Sequence, residues 1–414
     1  MQVDRRRFLK AAGTIGGVAT LGLGGRALVG GRGEFVEVNV GYAENSGLDA
    51  ALSEASEVVR QFGFDALTLR LPTEVVEWLA GRDDVRYVET NSRLRLHDHD
   101  ETSEERPPSG PESIPAGVER INCGVAHESG ITGKGASVAV VDTGIGSTHP
   151  DLRPNLNTGK SFVESSGERV IVDEDEDGTT IIVDDDAEEN SNLPAWQDTL
   201  GHGTHVAGIA GAVDNGQGVV GVAPEAALHA VKIGTEEGVE ASDVAAGIEF
   251  VGDKGWDVAN ISLGEETPSG VIRDACRYAY EKGVLLVASA GNIDEGEDNS
   301  IVRYPAAFEE VIAVSATTGD GELAEFSLTG PEVELAAPGE EIYSTMPGGT
   351  YERQSGTSMA APHVSGAGAL LMSDGLSNVE ARKRLRETAR SLDLDAEEQG
   401  NGLIDVAGAF GLGR

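Results

Sequence analysis

Lysine is scarce in this chain. Only seven of its 414 residues are lysines, and all basic residues together number 31 against 71 acidic ones, a formal net charge of −40. So acidic a surface repels phosphate backbones and anionic bilayers, which excludes nucleic acid as a partner. Charges of one sign at this density also oppose compaction, but in molar salt the Debye length falls to about 3 Å and screens them. The composition therefore points to a protein that works in brine. An ordinary acidic secreted protein, or a calcium-rich one, is the plainer alternative. Cysteine is nearly absent. Cys123 and Cys276 are too few for a disulfide framework, and Cys276 falls in an apparent helix, Val271 to Lys282, as a buried small residue. Aromatic residues make up only 5%. Long apolar runs are missing too: the Gly/Ala-rich stretch reaching Gly31 is too weak for a membrane span, so no stable membrane anchor is expected. What remains is 39% hydrophobic residues and 56 glycines, a composition suited to a compact α/β fold with many tight turns.

Three segments carry chemistry. Val138 to Val141 is an apolar run that ends in Asp142 and a Thr143-Gly144 turn, which reads as a buried strand with a carboxylate at its C-terminal tip. Gly201-His202-Gly203-Thr204-His205 opens a small-residue helix with a histidine. Gly356-Thr357-Ser358-Met359-Ala360 places a serine at the mouth of another, Ala360 to Met372. There a hydroxyl sits beside free backbone N–H groups and the positive end of the helix dipole, where an oxyanion is stabilised. Alone, Ser358 serves equally as a helix cap, and Asp142 as a turn residue. His202 and His205 as zinc ligands lack a third ligand at suitable spacing. Asp, His and Ser together are the minimum for triad catalysis.

These segments resemble those of subtilisin-like serine proteases, the subtilases, in the order Asp142, His202, Ser358. Ala290-Gly291-Asn292 is similar to the family's oxyanion segment. His149-Pro150-Asp151-Leu152, Gly221-Val222-Ala223-Pro224 and Asn260-Ile261-Ser262-Leu263-Gly264 match flanking text. The similarity covers about residues 112–410, and the charge balance is similar to that of haloarchaeal, halolysin-like members. The resemblance implies a parallel sheet flanked by helices on both faces. It also implies a secreted endopeptidase that hydrolyses polypeptides through an acyl-enzyme, acting as a monomer. Ser358 would be nucleophile, His202 base, Asp142 its orienting carboxylate, and Asn292 with the Ser358 N–H the oxyanion donors. Substrate would lie extended along Ser262, Leu263 and Gly264, with Gly291 nearby. Glu265 stands where many relatives have glycine. It is either a determinant for basic side chains or a solvated acid. A calcium ion is implied as well, held by Glu112, Asp151 and the loop residues Val213, Asn215, Gln217 and Val219.

The rest of the chain fits this organisation. Arg5-Arg6-Arg7-Phe8-Leu9-Lys10 resembles a twin-arginine export signal, expected over residues 1–33, with Asp4 where Ser or Thr is usual. Residues 34–99 read as strand, helix, strand, helix, strand: Phe35–Val40, Leu48–Phe62, Ala66–Leu71, Thr73–Ala80 and Val85–Glu89. That series resembles the ferredoxin-like, I9-type prosegment of the family, whose tail would inhibit the active site from within the same chain. Residues 100–111 read as an acidic linker, with self-cleavage expected around Leu96 to Asp100. Residues 112–414 form the catalytic domain, with strands at Ser137–Val141, Leu228–Ile233, Val258–Ser262, Val284–Ser289 and Val311–Ser315. An acidic insertion near 160–198 contains Asp173-Glu174-Asp175-Glu176-Asp177-Gly178 and Asp184-Asp185-Asp186. Its β-branched flanks exclude an EF-hand, which leaves a calcium-binding hairpin or a solvated insert.

Overall fold

The computed structural model describes residues 35–96, 100–105, 114–163, 193–235, 238–293 and 300–413. The export segment, Glu112 and the acidic runs 173–186 lie outside these residues, as do 97–99 of the expected cleavage region and 106–111 of the expected linker.

The N-terminal unit runs β1 (Phe35–Tyr42), α1 (Asn45–Glu54), β2 (Glu57–Gln61), β3 (Ala66–Pro72), α2 (Thr73–Ala80) and β4 (Val85–Thr90). Its sheet is antiparallel with order β2-β3-β1-β4, a ferredoxin-like arrangement. Alternate residues Val38, Val40, Leu67, Leu69 and Leu71 bury one face against Ala51 of α1 and Leu79 of α2. One expected element is corrected. The helix predicted over Leu48–Phe62 stops at Glu54, Ala55 is extended, and β2 then pairs along β3. Val58-Val59 explains this: β-branched side chains fit a pleated surface better than a helix. Beyond this unit come β5 (Arg93–Leu96) and β6 (Asp100–Glu105). The latter is a second correction, since a strand stands where the sequence predicts the linker to begin.

The C-terminal unit opens with two short helices, α3 (Ala116–Arg120) and α4 (Cys123–Glu128). It continues through β7 (Ser137–Asp142), β8 (Lys160–Ser161), α5 (His202–Gly211), β9 (Ala227–Lys232), β10 (Val239–Glu240), α6 (Ala241–Lys254), β11 (Val258–Ile261), β12 (Leu263–Gly264), α7 (Gly270–Glu281) and β13 (Leu285–Ser289). It closes with β14 (Val311–Thr317), β15 (Val333–Pro338), β16 (Ile342–Met346), β17 (Thr350–Ser355) and α8 (Thr357–Ser373), followed by shorter helices. Seven strands form one parallel sheet, β15-β14-β13-β11-β7-β9-β8. Both faces are covered, as a parallel sheet requires. Val138 and Val140 of β7 pack with α5 and α8 on one side. Ala139 and Val141 pack with α6 and α7 on the other. The insertion is narrower than its predicted 160–198. Lys160 and Ser161 extend the sheet, Phe162 is buried, and residues 193–198 return to the core with Trp196 and Asp198 buried.

Two small sheets flank the large one. β5 lies between β10 and β12, antiparallel to both. β6 adds to β17, which pairs with β16. Thus the segment that follows the N-terminal unit pairs with the C-terminal unit through β5 and β6.

Candidate active site

Asp142 ends β7 and His202 begins α5, and both are buried. His202 Nδ1 lies 2.7 Å from Asp142 Oδ1, which also accepts from the Thr143 N–H at 2.7 Å. A carboxylate partner there fixes the proton on Nδ1 and leaves Nε2 as the acceptor nitrogen. Gly203 permits this closeness, because a Cβ on it would collide with the Gly144 carbonyl and crowd Asp142. Burial alone would lower the pKa of His202. The charge of Asp142, its hydrogen bond and the charge of Asp198 outweigh burial and raise it above 6.5.

Ser358 lies in the first turn of α8, the helix packed against α5. Its hydroxyl donates to the carbonyl of Ser262 at 3.4 Å, a long contact that yields easily. Pro362 cannot donate to the carbonyl four residues back, that of Ser358. The Ser262 hydroxyl supplies the missing donor at 3.2 Å, while accepting from Asn260 Nδ2 at 2.8 Å. The proline in α8 thereby joins the serine turn to the end of β11.

Asn292 is aimed by Thr357. Its Oδ1 accepts from the Thr357 N–H and hydroxyl, both at 2.9 Å, which turns Nδ2 toward Gly356. The Gly291 N–H donates to the same hydroxyl at 3.1 Å. Leu263 and Gly264 pair with Leu96 and Arg95 of β5, and Val239 and Glu240 on the opposite edge pair with Leu94 and Arg93. An extended segment of the chain's own N-terminal unit therefore occupies the strip along the predicted substrate edge. Glu265 is half-buried. It lies 3.4 Å from the Ser92 hydroxyl, and burial with the nearby charge of Glu89 raises its pKa to about 7.

Two residues escaped the sequence reading. Thr357 reads there as plain motif text. Asp198 lies within the predicted acidic insertion, yet is buried and hydrogen-bonded around the start of α5. Its signal was a carboxylate just before a helix beginning.

Of the residues expected to hold calcium, all but Glu112 lie among the described ones. Asp151 is buried. Its Oδ2 accepts from the Val219 N–H at 3.0 Å and the Tyr351 hydroxyl at 2.8 Å, and its Oδ1 from Asn215 Nδ2 at 3.1 Å. The Val213 N–H donates to the Asp151 carbonyl at 2.8 Å, and the Gln217 N–H to Asn215 Oδ1 at 3.0 Å. Gly218, at φ +66°, leaves room for the carboxylate, since a Cβ there would strike it. Among the described residues the charge of Asp151 meets only neutral donors. A buried carboxylate beside an amide oxygen is a donor set that suits a hard cation.

The family model described as the Subtilase family matches residues 133–403. The chain is 37% identical over 384 residues to an alkaline protease of Alkalihalobacillus alcalophilus, covering 91% of this chain and 87% of that protein. It is 41% identical over 301 residues to subtilisin Savinase of Lederbergia lenta, covering 72% and 99%. It is 36% identical over 365 residues to subtilisin E of Bacillus subtilis (strain 168), covering 87% and 85%.

Proposed function

From a chain that belongs to the subtilase family of serine endopeptidases, we propose a secreted protease, self-processed from a proenzyme and adapted to high salt, that cuts polypeptides through Ser358, His202 and Asp142. The observation that carries this reading is the 2.7 Å pairing of His202 with Asp142, together with the extended strand β5 paired along the expected substrate edge. A substrate takes the place of β5, held by backbone hydrogen bonds to Leu263-Gly264 and to Val239-Glu240. His202 Nε2 takes the Ser358 proton as the hydroxyl attacks the scissile carbonyl, and Asp142 stabilises the imidazolium that forms. Asn292 Nδ2 and the Ser358 N–H receive the oxyanion. His202 then protonates the leaving amine, and water releases the acyl group by the same steps in reverse.

Residues 34–99 act as prosegment, with β5 in its inhibitory tail and self-cleavage around Leu96 to Asp100. In support, the 384-residue similarity to the alkaline protease is longer than residues 112–414 alone. Export over residues 1–33 by the twin-arginine route rests on the basic motif, and brine adaptation on the net charge of −40. When bound, calcium supplies a positive charge that Asp151 lacks among the described residues. Asp151, Asn215 and the carbonyls of Val213, Gln217 and Val219 would hold it.

The test is to express wild type and Ser358→Ala in molar salt with calcium, following chain size and casein clearing together. Shortening and clearing in wild type alone supports the reading. Identical behaviour without clearing would overturn it.

A further inference from the structure

The Asp198 carboxylate accepts five hydrogen bonds close to the start of α5. Its Oδ1 accepts from the Thr143 hydroxyl and the N–H groups of Leu200 and Gly201, all at 2.9 Å. Its Oδ2 accepts from the Thr204 N–H at 2.9 Å and the Thr204 hydroxyl at 2.5 Å. The network continues outward. The Thr143 hydroxyl accepts from the Gly203 N–H, and the Thr204 hydroxyl from the Gly146 N–H, both at 2.9 Å. One side chain thus joins three pieces of backbone: the turn after β7 that follows Asp142, the turn before α5, and the first residues of α5 itself. It satisfies N–H groups that a buried helix start would otherwise leave without partners.

Resting on the reading of His202 as general base, we infer that Asp198 is a positioning residue for it, holding the turn that presents the imidazole and adding a second buried negative charge behind the first. The surrounding charges fit. Lys232, at the end of β9, is buried with Nζ 2.7 Å from the Gln197 carbonyl and interacts with Asp198. Asp142 faces His202 from β7. On α5, His205 bonds to the Glu352 carbonyl, and on α8, His363 is kept neutral by burial with a pKa lowered to about 4. β16 presents Ser344, Thr345 and Met346, none of them ionisable, to the start of α5. Anions are favoured at a helix N-terminus, and screening by salt is weak for buried charges.

The test is the pH profile of kcat/KM for enzyme produced from the full chain, with active sites titrated. Asp198→Asn keeps the shape and one acceptor oxygen but removes the charge. The acid limb is expected to move to lower pH by about half a unit or more, the size of shift a nearby buried charge produces. A merely structural role lowers the plateau and leaves the limb in place, and that result would overturn the inference. Should Asp198→Asn fail to fold, Lys232→Gln gives the opposite expectation. The uncompensated Asp198 then moves the limb upward, and an unmoved or lowered limb overturns the inference. An inactive wild type would overturn the reading of His202 as base, and this inference with it.

Discussion

Carboxylates meet opposite company in two parts of this molecule. Around His202, Asp142 faces an imidazole, and Asp198 faces backbone N–H groups, hydroxyls and Lys232. Where the N-terminal unit meets α6 and α7, the ion pairs Arg60–Asp243 and Arg86–Asp274 stand beside carboxylates that lie close to one another. Glu89 caps the start of α7 through Ser269, Gly270 and Val271 at 2.7–3.0 Å, yet burial outweighs these bonds and raises its pKa. Glu265 lies beside it, raised to about 7. Burial likewise raises Asp274, despite hydrogen bonds from Arg86 at 2.6 Å and Tyr87 at 2.7 Å, and Glu249, which accepts from the Gly63 N–H. The first region is arranged to keep its charges in place for chemistry. The second pairs part of its charge, and burial favours the protonated form of Glu89, Glu265, Asp274 and Glu249.

Neutralising a carboxylate should therefore have opposite consequences in the two regions. At the cleft it is ruinous. Asp142→Asn should lower kcat by about 10⁴, because the imidazole loses its tautomer and its counter-charge. Steady-state kinetics on a synthetic peptide, with the fold checked by circular dichroism, would show it. A loss below tenfold would break the comparison at its strongest point. Asn292→Ala should cost about 10²–10³ in kcat with KM little changed, since its amide binds an oxyanion absent from the ground state. Thr357→Val should reproduce part of that loss without touching substrate, because it removes one of the two bonds that aim the amide.

What the sequence made legible follows from how each residue announces itself. Asp142, His202, Ser358 and Asn292 sit in glycine-rich motifs at element ends, where backbone geometry restricts composition. The parallel strands were legible from their short apolar runs. Asp198 was hidden by its surroundings: in a chain with 71 acids, one carboxylate among many reads as surface. β6 was hidden for the same reason, since a strand of Asp, Glu, Thr and Ser carries no apolar alternation. β2 was missed because Val58 and Val59 continue the helical spacing of α1, and only pairing with β3 decides between helix and strand. The occupant of the cleft was expected from resemblance alone, because pairing at a distance of more than a hundred residues leaves no local mark.

At the junction the sign reverses. The pKa of Glu265 is raised in the assembled chain, so the contact is favoured while the acid stays protonated. That contribution is fully present below about pH 4.5, the ordinary glutamate range, and is lost as pH rises through about 7. Amide exchange at residues 93–96 of full-length Ser358→Ala should accordingly be faster at pH 8 than at pH 5, after correction for intrinsic rates. Glu265→Gln should remove most of that difference and slow exchange at pH 8, by about tenfold at most for one partly buried group. If Glu265→Gln instead loosens β5 at both pH values, the Ser92 contact matters more than the repulsion from Glu89. The two regions would then differ in degree only, each depending on its carboxylates as acceptors.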